Sequence, residues 1–223
     1  RDTIDDIKNN AVGNFATQNR LVTKEDYIIR SYSMPSNLGS VAKAYIVPDD
    51  QITQQDLIES RIANPLALNM YVLGYNSSNQ LTFLNAAIKE NLKTYLGYYR
   101  MLTDAVNIKD GFIINIGLDF EISVLTNYNS NEVLLKCIDA MQKYFNIDRW
   151  QINQPIIKSE ITNALGNIKG VQNVVGVQLS NLFDKFPNLV AATKNGIIYP
   201  SLDPSIFEVK YPTQDIKGRV VNY

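Results

Sequence analysis

The chain has 223 residues, 21 basic against 22 acidic side chains and a formal net charge of -1. With 45% hydrophobic and 19% charged residues it has the composition of a globular protein, which excludes a disordered chain. A charge this close to zero argues against a dominant nucleic-acid or membrane-surface role, because binding phosphate or anionic lipid needs a basic surplus, though a local basic patch is compatible with that balance.

Histidine is absent. That removes the commonest metal ligand, the commonest general base and the middle member of a Ser-His-Asp or Cys-His set. The single cysteine, Cys137, allows no internal disulfide, as expected of a chain folded in a reducing cytoplasm. No apolar run approaches the ~20 residues needed to span a bilayer. The opening residues lack the layout of a signal peptide. The chain starts at Arg1 rather than Met, so a fragment of something longer is expected.

Residues 1–20 read as an entry segment, with a short helix possible there. Thr23 followed by Asp26 is the pattern of a capping box, Asp taking the place of the usual Glu or Gln. Tyr27, Ile28 and Tyr32 continue a short helix, which Pro35, Asn37 and Gly39 end. Val41 to Val47 reads as a strand, closed by Pro48. Residues 51–66 are polar and read as an insertion or long connection, and a second strand follows from about Leu68 to Tyr75.

Leu84, Ile88, Leu92, Tyr95, Leu96, Tyr99 and Leu102 recur at helical spacing and predict one apolar helix face. The strongest strand comes next. Phe112, Ile114, Ile116, Leu118, Phe120, Ile122 and Val124 occupy every second position, alternating with Asn115, Gly117, Asp119, Glu121 and Ser123. A second amphipathic helix carries Leu134, Cys137, Ile138, Met141, Tyr144 and Phe145, with Ser130 or Asn131 as its cap. Ile157, Ile161, Leu165 and Ile168 predict a third helix, opened near Pro155 and closed by Gly170. Val171 to Leu179 reads as a valine-rich strand. From Asn181 onward Pro, Asn and Asp punctuate the chain, with strand-like pieces at Gly196–Tyr199 and Ile206–Lys210. So long a tail needs something to lie against.

The order predicts an α+β protein, with helices layered on sheets. Its expected parts are an entry segment and short helix (1–40), a ferredoxin-like α/β layer domain (41–147) and a smaller C-terminal α+β domain with an extended tail (148–223).

Little in the chain suggests chemistry. Asp119 and Glu121 share the polar face of the long strand, the arrangement of a cation site or an acid–base pair. Alternation alone accounts for both, so a solvated outer face is the favoured reading. Asp49, Asp50 and Asp56 cluster in sequence but lack the Asp-x-Asp-x-Asp-Gly order of a calcium loop. Cys137, on a buried helix face, reads as a small hydrophobe. Trp150 reads as a packing anchor. Lys194, Lys210, Lys217 and Arg219 are interleaved with Asp203, Glu208 and Asp215, which weakens a phosphate-binding reading. No catalytic residue, metal ligand or cofactor-binding residue is assigned. Tyr95 and Tyr99 fall on the apolar helix face, whereas Tyr98 lies off it and is an interface candidate. Phe207, Tyr211 and Arg219 join it because the tail is expected to reach a second copy of the chain.

The run Asn19-Arg20-Leu21-Val22-Thr23-Lys24-Glu25-Asp26-Tyr27, the loop from Pro35 to Gly39 and Val41-Ala42-Lys43-Ala44 resemble, in order, the opening of the baseplate J-like family. Lys143-Tyr144-Phe145, Trp150 and Gln154-Pro155-Ile156 resemble the link between that family's domains, and Gly170-Val171-Gln172-Asn173-Val174 the segment after it. The tail, from Asp203 through Tyr211-Pro212 to Asp215-Ile216-Lys217-Gly218-Arg219, resembles the C-terminal part of the large wedge proteins of T-even-like contractile-tailed phages. What the resemblance implies is a structural, non-enzymatic role in the virion. Such proteins form the inner ring of the tail baseplate, after assembly in the host cytoplasm. The implied partners are a second copy, as a homodimer, and other wedge proteins, with no nucleic acid and no membrane. Two other functions compete: a nucleic-acid-binding ferredoxin-like module, which needs exposed aromatic and basic residues on its sheet, and a carboxylate-based hydrolase, which needs a second acid facing Asp119 or Glu121.

Overall fold

A computed structural model describes residues 20–48, 67–101, 104–182, 193–200 and 203–221. The entry segment before Arg20, the polar stretch 51–66, the acidic cluster at Asp49, Asp50 and Asp56, and Leu102 lie outside the described residues. The chain divides into two compact units. The first is Arg1–Gly111 with Leu202–Pro204, and the second is Phe112–Ser201 with Ser205–Tyr223.

The first unit opens on the predicted capping box. Helix α1 spans Lys24–Tyr32, and Thr23 at its N-cap accepts the Asp26 N–H at 3.2 Å. The Asp26 carboxylate in return accepts the N–H groups of Thr23, at 2.8 Å, and Val22, at 3.1 Å. Burial of Asp26 opposes its ionised form. The backbone donors of Thr23 and Val22, the Thr23 hydroxyl and the Arg30 charge outweigh that and hold the carboxyl below its ordinary range. A folded-state pKa held down adds stability above the ordinary value, which is lost as pH falls through the lowered one. Replacing Asp26 by Ala is therefore expected to cost about 1 kcal/mol in urea unfolding at neutral pH, and the difference from the parent should shrink in strong acid.

Strand β2 (Ala67–Tyr75) is the centre of this unit's sheet. It pairs antiparallel with β1 (Lys43–Pro48) and, at its end, with β3 (Leu81–Thr82), and parallel with β4 (Ala105–Asp110). Helix α2 (Ala86–Gly97), capped by Asn85, makes the crossover to β4 that a parallel pair requires. Both helices pack on the sheet and on each other. The core joins Leu21 and Tyr27 to Ile46, Met70, Val72, Leu92 and Leu96.

The second unit is built round β5 (Phe112–Val124), the predicted long strand. Ile116, Leu118, Phe120 and Ile122 are at most 1% exposed. Helix α3 (Ser130–Tyr144) buries Val133, Cys137 and Met141. Its cap is Asn129 rather than Ser130 or Asn131, the Asn129 side chain accepting the Asn131 N–H at 3.0 Å. A 3-10 turn, Ile147–Arg149, leads past Trp150 to the short β6 (Ile156–Ile157) and then to helix α4 (Lys158–Gly166). Gly170, at φ +106°, turns the chain into β7 (Val171–Asn181), which runs antiparallel to β5. A Cβ at Gly170 would lie 2.6 Å from Val133 Cγ2, so backbone conformation and space both demand glycine there. Strand β6 pairs with β9 (Ile197–Ile198), which pairs with β8 (Thr193–Lys194). Between β8 and β9, Asn195 and Gly196 both take positive φ, as a two-residue primed hairpin turn requires.

The tail departs from expectation. Its described residues include β10 (Ser205–Glu208), parallel to the start of β5, and β11 (Ile216–Val220), parallel to Leu118–Ile122. One turn of helix, α5 (Pro212–Asp215), joins them. The described tail is thus spent on the protein's own sheet, because β5 exposes a ladder edge that its Pro-bounded segments can fill.

The layering is α+β, as the element order predicts. The parallel pairs β2–β4, β5–β10 and β5–β11 replace the fully antiparallel sheet of a ferredoxin-like domain. The units divide at Gly111–Phe112, where two strands abut with only a glycine between them. The expected boundary at 147–148 falls inside the second unit.

Candidate functional site

Leu21, at 1% exposure, forms a parallel bridge with Arg100, and its N–H donates to the Tyr99 carbonyl at 3.0 Å. The opening run is thereby clamped to the end of α2. Tyr27, also 1% exposed, donates its hydroxyl to Asp104 Oδ2 at 2.8 Å. The guanidinium carbon of Arg30 lies 4.1 Å from the Tyr99 ring centroid, and Tyr95 meets Tyr99 edge to face at 5.4 Å. The Tyr95 hydroxyl donates to the Ser33 carbonyl at 3.2 Å, and the Tyr32 hydroxyl accepts the Ala44 N–H at 3.0 Å. The motif residues Leu21, Thr23, Asp26 and Tyr27 therefore act as framework. They set the position of α1 against α2.

Asp119 and Glu121 lie on the polar face of the second unit's sheet, in a groove of about 480 Å³. In the parallel register Asp119 sits opposite Lys217, and Glu121 opposite Arg219, which bonds it directly. Gln178 and Gly176 of β7 flank the two acids on the other side. The remaining ionisable residues of the groove are the two bases, so no second acid faces the pair there. Across-strand charge pairing fits a solvated sheet face. Among the described residues no group of three or more His, Cys, Asp or Glu side chains is placed to hold a metal.

Cys137 is fully buried, and burial pushes its thiol up to about 11. Since the thiolate is the reactive form, iodoacetamide at neutral pH is expected to leave it unlabelled in the folded protein and to label it in denaturant. Mass spectrometry of intact protein reads the difference.

Trp150 is packed rather than functional. Its ring stacks on Phe145 at 5.7 Å, and its indole N–H donates to the Tyr144 carbonyl at 3.2 Å. The Tyr144-Phe145 to Ile156 segment, expected to link two domains, lies wholly within the second unit.

The four interface candidates separate. Tyr98, at the C-cap of α2, is 79% exposed. Tyr211 is half-exposed at the start of α5, its N–H donating to Asp215 Oδ2 at 2.8 Å. Arg219 is exposed but engaged with Glu121. Phe207 is 2% exposed within β10, so it offers no surface to a partner. A single strand-like piece in a tail does not reveal whether it lies on the surface or in the sheet. One feature of β7 went unread in the sequence: none of its eleven residues is ionisable or proline.

No family model and no curated protein matches the chain. Among solved structures, it is similar to a chain of the anti-feeding prophage baseplate, determined by cryo-electron microscopy with six-fold symmetry applied. The sequences are 15% identical and the TM-score is 0.52. The similarity covers 100% of this chain and 42% of that one, so the protein spans less than half the length of its structural neighbour. At this identity the likeness establishes a shared fold. Among the described residues no helix is long and apolar enough to cross a membrane.

Proposed function

We propose that the protein is a structural subunit of a contractile-tail baseplate, part of a wedge protein of the J-like kind. It forms an inner ring through self-association and contacts with other wedge proteins, without catalytic activity. The observation that carries this reading is the similarity of the whole chain to part of a baseplate chain. The sequence supports it independently. The described part of the opening run that resembles the J-like family leads into α1 and is clamped through Leu21 to the end of α2, so the resemblance falls on residues that define the fold. The nucleic-acid reading is disfavoured by Asp119 and Glu121, which place acids on the sheet face that would meet phosphate. The hydrolase reading is disfavoured because the groove's other ionisable groups are Lys217 and Arg219. Localisation in the virion and assembly in the host cytoplasm belong to the same proposal.

The test is reconstitution. The chain is co-expressed with the remaining components of a contractile tail, and particles are purified and imaged. A ring of this chain at the baseplate is the expected result. Complete particles lacking the chain would refute the reading.

A further inference from the structure

We propose that the β8–β9 turn is a modification site, at which Asn195 loses its side-chain amide to the backbone nitrogen of Gly196 without the help of another protein. The inference goes beyond the baseplate reading and does not depend on it. Asn195-Gly196 is the single Asn-Gly step in the sequence. Both residues are exposed, and a Cβ built on Gly196 would meet nothing within 4 Å. A residue with no Cβ leaves its own nitrogen open to approach from the preceding side chain.

Hydrogen bonding sets this asparagine apart. Asn76, Asn85 and Asn129 also precede a small residue, but their side-chain carbonyls are occupied. They accept the N–H groups of Ser78 at 2.9 Å, Ala87 at 3.3 Å and Asn131 at 3.0 Å. Asn163, which precedes Ala164, is held inside α4. Among the described residues neither the Asn195 side chain nor the Gly196 N–H has a hydrogen-bond partner. In a two-residue hairpin the flanking pair, here Lys194 and Ile197, exchanges the bonds, and the central N–H groups are left over.

The step needs only solvent water and hydroxide. Hydroxide takes the proton of the Gly196 nitrogen, which forms a bond to Asn195 Cγ. The Cγ–Nδ2 bond breaks, and Nδ2 leaves as ammonia with a proton from water, which restores the hydroxide. Water then opens the cyclic succinimide at either carbonyl. Attack at Cγ breaks the new bond and leaves aspartate. Attack at the Asn195 main-chain carbonyl breaks the original peptide bond and leaves isoaspartate. Ring closure requires Asn195 to swing out of its left-handed conformation, so the turn must open briefly. Strand β8 contributes two residues at the edge of its sheet, and local opening of so small an element costs little.

The two products differ in what they do to the fold. Asp-Gly fits the same primed turn as Asn-Gly. Isoaspartate adds a methylene group to the backbone just before Gly196. The Gly196 carbonyl accepts the Lys158 N–H at 3.0 Å, and Lys158 opens α4, whose N-cap Ile157 makes no side-chain bond. The turn thus supplies an acceptor that the helix cannot supply to its own first N–H. Isoaspartate removes that acceptor together with the Lys194–Ile197 pair.

The folded full chain is held in mildly alkaline buffer and digested at intervals, with fresh protein digested in parallel as the zero point. Mass spectrometry locates each converted asparagine, and fragmentation separates aspartate from isoaspartate. Asn195 is expected to convert first, at a rate that rises with hydroxide, adding one negative charge to a chain of formal charge -1. Asn195→Gly keeps a permitted turn pair and should abolish the new acidic species on isoelectric focusing. In the isoaspartate form, separated by ion exchange, the Lys158 and Ile197 amides should lose protection that the aspartate form keeps. Retention of the Asn195 amide through the series overturns the proposal. So does conversion no faster than at Asn76, Asn85 or Asn129, or conversion only in denaturant. Unchanged Lys158 exchange in the isoaspartate form overturns the link to α4.

Discussion

Phe120→Ala is expected to destabilise the second unit by about 3–5 kcal/mol, the range for truncating a buried aromatic residue. Phe120 is 1% exposed at the middle of β5, and α3 packs across β11 on the same side of the sheet. Gly218 is what lets the helix approach. A Cβ built there would lie 2.5 Å from Phe120 Cζ and 2.7 Å from Leu134 Cδ1. Gly218→Ala alone should therefore cost about 1–3 kcal/mol through overpacking. The two substitutions share one space, since removing the ring makes room for the new methyl group. The double variant should be more stable than the sum of the single losses requires, by roughly 0.5–3 kcal/mol of coupling. Urea unfolding of the four proteins gives the answer. Strict additivity would mean that Gly218 is required for something other than the Phe120 contact.

The sequence carries this core unequally. The alternation from Phe112 to Val124 predicts β5 at its observed limits because apolar residues take every second position, Ile113 alone falling on the other face. Thr23 and Asp26 announce α1 through chemistry local to four residues. Strand β4 was missed. Val106 and Ile108 are its only aliphatic residues beyond Ala105, and Asn107, Lys109 and Asp110 fill the rest. Its place is fixed by parallel pairing with β2 across a helical crossover, which no local pattern encodes. The same holds for β10 and β11, whose partner lies about 90 residues or more upstream. Asn129 was passed over as the cap of α3 because Ser130 and Asn131 beside it are equally able to cap, and only the backbone angle at 129 decides. As for the candidate site, the polar face of β5 was legible, but the bases that neutralise it were not. Lys217 and Arg219 become its neighbours only through the register of the tail. Tyr27 shows the limit most sharply: the residue is prominent in the opening motif, while its partner Asp104 is 77 positions away.

That partnership predicts an alkaline transition. Burial, then the hydrogen bond to Asp104 and its charge, push the Tyr27 hydroxyl well above its ordinary value. Burial also raises Tyr32 and Tyr95, and burial followed by the Glu160 hydrogen bond pushes Tyr144 up to about 12. A hydroxyl with a raised folded-state pKa adds stability that is complete below the unfolded value of about 10. Above that pH the unfolded chain loses protons that the folded chain retains, so the stability drains away. Tyr144 alone accounts for up to roughly 2 kcal/mol between pH 10 and 12. The protein is thus expected to unfold cooperatively in this window, with the tyrosinate absorbance of these residues rising together with the loss of near-ultraviolet circular dichroism. Tyr27→Phe separates the two consequences of one hydroxyl. At neutral pH the variant should be less stable by about 1–2 kcal/mol, because a part-buried hydrogen bond to the Asp104 carboxylate is lost. Its further loss on going to pH 11 should be smaller than the parent's, because one of the linked protons is gone. A variant that falls in parallel with the parent across this range would show that Tyr27 ionises alike in the folded and unfolded chains, and that the hydroxyl at the heart of the motif does not hold α1 in place.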